Sequence, residues 1–111
     1  MKAVQKEIVL LPFPFSDLQS TKARPALIVS NDEFNNKSAD CIMVPLTTNI
    51  KYDKCSIIIN SSDLSYGKII EKSRIKADKL FCLEKKLIKM KVAKLNDEIF
   101  QKVKNKIITM F

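Results

Sequence analysis

Apolar runs of strand length follow one another from residue 7 to residue 92, and only the segment from Asn96 onward carries a helical period. EIVLLPFPF at 7–15 clusters β-branched and apolar residues, then stops on two prolines, which cannot donate to a strand ladder. PALIVS at 25–30 and CIMVPLT at 41–47 are continuous rather than alternating, the pattern of strands covered on both faces. CSIIIN at 55–60 predicts a further strand and LIKMKV at 87–92 a short late one. Residues 69–83 predict a longer, more polar strand, with Ser73, Ile75 and Ala77 on one face and Arg74 and Lys76 on the other. NDEFNN at 31–36 predicts one helical turn packed by Phe34, and 61–67, which ends on the only glycine, predicts a turn. Asn96 is a good N-cap, Asp97 and Glu98 suit the positive end of a helix dipole, and Phe100, Val103 and Ile107 fall at helical spacing. Strands with no helices alternating between them predict a mainly β fold, a small bent barrel lidded by one C-terminal α-helix.

The 111 residues suffice for one hydrophobic core, so 1–111 is expected to form a single domain. No apolar stretch reaches the roughly 20 residues of a membrane helix, and the charged N-terminus is unlike a secretory signal. A cytoplasmic protein with no membrane partner is the expectation. Cys41, Cys55 and Cys82 are widely spaced among apolar neighbours and read as reduced thiols. With no histidine and no C-x-x-C pair, neither a metal nor a cofactor is expected. The net charge of +8 suits a polyanion, through long-range attraction and counterion release, and equally suits an acidic protein.

The missing histidine also removes the Cys-His and Ser-His nucleophiles, and a single glycine excludes the Gly-rich phosphate loops. The carboxylates are scattered, which disfavours a magnesium-dependent nuclease. Two features stand out. Lys22-Ala23-Arg24-Pro25 puts cations at the start of a buried strand, directly after a polar loop. A guanidinium on a rigid strand end can grip a phosphate bidentately, while the loop can close over a ligand. In the second feature, an apolar strand ends abruptly in Thr47, Thr48 and Asn49, short stiff donors suited to phosphates or base edges. Pattern alone favours a plainer account, in which Arg24 pairs with Asp17 or Asp40 and the three polar residues merely end the strand.

The segments EIVLLPFPFSDL at 7–18, KARPALIVS at 22–30 and VPLTTN at 44–49 closely resemble the MazF/PemK family of toxin endoribonucleases. SRIKADKLF at 73–81 and VAKLNDE at 92–98 resemble it as well, so the likeness spans nearly the whole chain in order. The resemblance implies an SH3-like barrel of the MazF/PemK and CcdB type, and a homodimer. It further implies metal-independent, sequence-selective cutting of single-stranded RNA, and an antitoxin whose tail occupies the RNA groove. The arginine of the family's Arg-Pro motif falls on Arg24 and the threonine of its Pro-x-Thr motif on Thr47, so these inherit the catalytic assignment. Lys22, Thr48, Asn49, Ser73 and Lys76 are candidate RNA contacts. One departure stands before the first strand, where Lys6-Glu7 replaces the family's usual Gly-Asp.

RNA brings its own nucleophile, the 2′-hydroxyl, so a protein without histidine can cut it. Alignment of that oxygen and stabilisation of phosphoryl charge are left to fixed donors. In this scheme Arg24 stabilises the phosphorane, Thr47 hydrogen-bonds the phosphate, and the products carry a 2′,3′-cyclic phosphate and a 5′-hydroxyl. Two other classes compete: a toxin of the same barrel that binds and poisons DNA gyrase, and an inactive RNA- or peptide-binding barrel.

Overall fold

The computed structural model describes residues 2–12 and 23–111. Among these the chain forms β1 (Glu7–Pro12), β2 (Ala23–Ile28), α1 (Asp32–Lys37), β3 (Asp40–Thr47) and β4 (Ser56–Ile59). There follow β5 (Leu64–Gly67), β6 (Ser73–Lys76), β7 (Phe81–Glu84), β8 (Met90–Leu95) and α2 (Asp97–Thr109). The strands join in one half-barrel sheet of order β4-β6-β3-β2-β1-β8-β5, with β7 also on β3. Every pairing among them is antiparallel.

The hub is β3. One edge pairs with β2, and the other is divided, with Asp40 to Met43 against β7 and Leu46 and Thr47 against β6. Pro45 falls at the hand-over, where a residue with no N–H leaves no donor unpaired.

The continuous apolar runs are explained by cover on both faces. Ile8, Leu27, Val44, Leu46 and Ile75 pack on one side under Phe100 and Val103 of α2. Val9, Leu11, Ala26, Ile28 and Met43 pack on the other with Cys41 and Ile88. Full burial of each large aliphatic side chain contributes roughly 1.5–3 kcal/mol relative to exposure. The helix begins as the sequence predicts, with the Asn96 side chain accepting the Ile99 N–H at 2.8 Å.

Four local expectations give way. The strand predicted at 69–83 is broken, because Lys79 N–H turns back to the Lys76 carbonyl at 3.1 Å and β7 departs to β3. Within β6 burial does not alternate: Ser73, Arg74 and Ile75 are all buried, and Ile75 joins the core under α2. The turn predicted at 61–67 covers only Ser61–Asp63, a 3-10 turn capped reciprocally by Asn60 and Asp63. Gly67 instead ends β5 against β8, at φ 82°, where an added Cβ would lie 2.3 Å from the Val92 carbonyl oxygen. In α1 the fully buried residue is Asn35, whereas Phe34 is 39% exposed. The Asn35 amide donates to the Ser30 carbonyl at 2.9 Å and accepts from the Ser30 hydroxyl. The late strand begins at Met90 rather than 87, since Lys85–Leu87 forms a 3-10 turn. The part of the first predicted strand beyond Pro12 lies outside the described residues.

Lys6 occupies the left-handed region at φ 80°, the conformation glycine adopts most readily. Its N–H donates to the Ile28 carbonyl and its own carbonyl accepts the Leu95 N–H, each at 2.9 Å. Its ammonium pairs with Asp97 at 2.8 Å and lies 5.7 Å from the centroid of the Phe100 ring. The turn thus keeps a glycine-like backbone without a glycine. Beside it Glu7 is buried, accepting the Val4 N–H at 2.9 Å and pairing with Lys91 at 3.1 Å.

Candidate active site

Arg24 lies near the start of β2 and Thr47 at the end of β3. The two strands pair as Ile28 with Met43, Leu27 with Val44 and Ala26 with Pro45. The pairing ends there, with Arg24 two residues beyond it on β2 and Thr47 two residues beyond it on β3, so the antiparallel strands carry both at the same end. Arg24 is exposed and Thr47 half-buried. Pro25 fixes φ immediately after Arg24 and so stiffens the strand end that carries it.

Among the described residues the Arg24 guanidinium has no ion-pair partner. Asp40 cannot supply one. It begins β3 while Thr47 ends it, which separates them by roughly 23 Å at strand rise. Asp17, the other carboxylate considered for Arg24, lies outside the described residues, as does Lys22.

Across the opposite edge of β3, Thr47 faces Arg74 of β6. Arg74 is a functional candidate that sequence reading placed on a polar strand face without assigning it a task. It is 6% exposed. Its Nε donates to the Asn49 carbonyl at 3.1 Å, and its Nη1 donates to Asp53 Oδ2 at 2.7 Å and Ser56 Oγ at 3.3 Å. The hydrogen bond from Ser56, with help from the Cys55 N–H and the Arg74 guanidinium, holds the Asp53 carboxyl below the usual carboxylate range. Thr47 Oγ1 in turn accepts the Asn49 N–H at 3.1 Å. No sequence motif marks Arg74; only the β3–β6 register reveals it.

The other candidates divide between the two faces. Thr48 and Asn49 are exposed beside Thr47. Lys76 is half-buried on the Arg74 face, two residues along and opposite Ser56. Ser73 is buried, donates its hydroxyl to the Glu71 carbonyl at 3.0 Å, and lines a cavity of about 250 Å³ with Leu46, Thr48 and Ile69. By strand alternation it lies on the other face from Thr47, so the structure does not bring Ser73 to the Arg24–Thr47 pair. Among the described residues no three His, Cys, Asp or Glu side chains gather where they could hold a metal ion.

An exposed cation and a hydroxyl at the same end of paired strands are equipped to bind an anion and stabilise added negative charge. The model of the PemK-like, MazF-like toxins of type II toxin-antitoxin systems matches residues 4–111. The chain belongs to this family. Solved structures carry the same fold as this PemK/MazF chain at low identity. An endoribonuclease in complex with its cognate antitoxin, from a mycobacterial species, is 20% identical with a TM-score of 0.79, covering 96% of this chain and 92% of that one. The MazE-MazF complex from Deinococcus radiodurans is 16% identical with a TM-score of 0.79, covering 99% and 95%. The toxin MazF-mt6 of Mycobacterium tuberculosis is 14% identical with a TM-score of 0.72, covering 93% of each chain. No curated protein matches the chain by sequence. Among the described residues, no helix of this PemK/MazF chain is long and apolar enough to cross a membrane.

Proposed function

We propose that this toxin is a metal-independent endoribonuclease that cuts single-stranded RNA, with Arg24 and Thr47 as its catalytic pair. The observation that carries the reading is their placement: an exposed arginine without an ion-pair partner among the described residues, at the same end of paired strands as a half-buried threonine. The 2′-hydroxyl gives up its proton to water as its oxygen attacks the neighbouring phosphorus, the bond to the 5′-oxygen breaks, and the leaving oxygen takes up a proton from water, so no proton is gained or lost overall. The products are a 2′,3′-cyclic phosphate and a 5′-hydroxyl end. Arg24 keeps its proton throughout and acts as an electrostatic clamp on the phosphoryl oxygens. Thr47 supplies a hydroxyl donor to the same group.

Thr48 and Asn49 flank the pair as RNA contacts, joined by Lys22, with Lys76 further along the same face. The exposed, cationic Arg24 favours this chemistry over gyrase binding, which requires no such pair. A cognate antitoxin that is acidic gains on-rate from the +8 charge. The active form is a cytoplasmic homodimer of one domain per chain.

The deciding experiment incubates purified protein with a mixed RNA pool in EDTA and maps the new 5′ ends. Cleavage that persists in EDTA and is lost in Arg24→Ala supports the assignment. Intact RNA, or equal cutting by the variant, overturns it.

A further inference from the structure

We propose that Arg74 is a positioning residue for Thr47: by holding the Asn49 peptide it fixes the direction in which the Thr47 hydroxyl presents its proton. The inference rests on the endoribonuclease reading for what that proton does, and on geometry alone for how it is aimed.

Arg74 stands directly across from Thr47, yet only 8% of its side chain reaches solvent. Its three hydrogen bonds all go to the chain that follows Thr47, at Asn49, Asp53 and Ser56. Lys51, Tyr52 and Lys54 between them are exposed, so little apolar packing holds this stretch. Asn49 is therefore gripped twice. Its carbonyl is held by Arg74 Nε and its N–H by Thr47 Oγ1.

A hydroxyl has one proton and two lone pairs. With the Asn49 N–H on a lone pair, the Thr47 proton must point elsewhere, and a phosphoryl oxygen can only accept it. Release of Asn49 frees the hydroxyl to turn among its staggered positions and to bond nearby main chain instead. The Arg74 charge is already matched by Asp53 at 2.7 Å, so this arginine, unlike Arg24, is not committed to phosphate. Lysine is no substitute. A planar guanidinium serves Asn49 from Nε while Nη1 serves Asp53 and Ser56, whereas an ammonium on a flexible stem cannot hold both in fixed geometry.

The test is a double-mutant cycle of Arg74→Lys and Thr47→Ala, read by single-turnover cleavage of a short RNA. Arg74→Lys is expected to lower kcat about tenfold with KM nearly unchanged, and to have almost no further effect beside Thr47→Ala. An equal loss in both backgrounds, or no loss, overturns the proposal. If Arg74→Lys does not fold, Asp53→Asn leaves the guanidinium in place without its anion, and an about threefold loss that vanishes beside Thr47→Ala is expected. Amide hydrogen exchange supplies a readout that needs no cleavage. In whichever variant folds, exchange at Asn49 should quicken about tenfold while β2 amides stay as they were. Unchanged exchange at Asn49 overturns the positioning role. A parent protein that cuts no RNA overturns the endoribonuclease reading, while the exchange result still judges the clamp.

Discussion

The Tyr66 hydroxyl donates to Glu7 Oε2 at 2.8 Å across 59 residues of chain, tying β5 to the first turn of the fold. Burial, then the hydrogen bond and charge of Glu7, push the Tyr66 phenol above its ordinary range. Glu7 also pairs with Lys91 at 3.1 Å, so a side chain next to the Lys6 turn gathers β1, β5 and β8. Glu7→Ala strands Lys91 and two hydrogen-bond donors, and the expected loss is about 2–3 kcal/mol. Urea unfolding measures it. Tyr66→Phe, which removes one donor and leaves Glu7 paired, should cost about 1 kcal/mol.

At Lys6 the usual ranking of alanine and glycine should invert. Lys6→Gly relieves the φ of 80° and loses a pair whose Asp97 partner is almost fully exposed, so stability should stay within about 1 kcal/mol of the parent. Lys6→Ala keeps the strained backbone and loses the ammonium, and should be the less stable of the two by about 1 kcal/mol. Thermal melts of the pair decide this, and an alanine variant as stable as the glycine one refutes the account of the turn.

The placement of Arg24 and Thr47 at one end of β2 and β3 makes a rate prediction. Arg24→Ala and Thr47→Ala should each slow RNA cleavage on the order of a hundredfold or more, with the fold intact, because Arg24 is exposed and Thr47 only half-buried. Circular dichroism separates lost activity from lost structure. A variant that is folded and fully active removes that residue from the chemistry.

Strand positions in β1 to β3 and the start of α2 could be read from the sequence because they depend on local pattern: apolar runs, prolines, an Asn96 cap. Arg24 and Thr47, the proposed pair, stand in two short motifs that the sequence displays. Arg74 was not, since its burial depends on β6 meeting β3 and on Asp53 arriving from a loop. The break after Lys76 was hidden for the same reason: β7 leaves to pair with residues some forty positions earlier, and nothing in its own composition announces that partner. Gly67 looked like a turn residue because glycine marks both turns and close backbone approaches, and only the position of Val92 tells them apart.

Asp53 gives a pH signature. Its carboxyl lies below the usual value in the folded chain, chiefly through Ser56, so folding favours the ionised form. That stabilisation is present above the ordinary carboxylate pKa of 3.8 and fades as pH falls through the lower folded value. Melting temperatures of the parent and Asp53→Asn should therefore differ at neutral pH and converge below about pH 4. A gap that persists in acid contradicts this.

The thiols should separate by reactivity. Burial pushes Cys41 up to about 11, whereas Cys82 is exposed. Maleimide near neutral pH should modify Cys82 first and reach Cys41 only in urea, as mass spectrometry of the labelled peptides will show. Early labelling of Cys41 would contradict its place in the core.

Where β2 and β3 pair, from Ala26 to Ile28 and from Met43 to Pro45, core packs on both faces and leaves little outward surface for chemistry. Reactive groups can be displayed only where each strand overruns its packing, at the Arg24 end of one and the Thr47 end of the other. The interior can then drift in aliphatic content, and the flanking loops in length and charge, without disturbing the alignment of those two positions. On the proposed reading, such an arrangement separates what is recognised, set by the loops, from what cuts, set by the two strand ends.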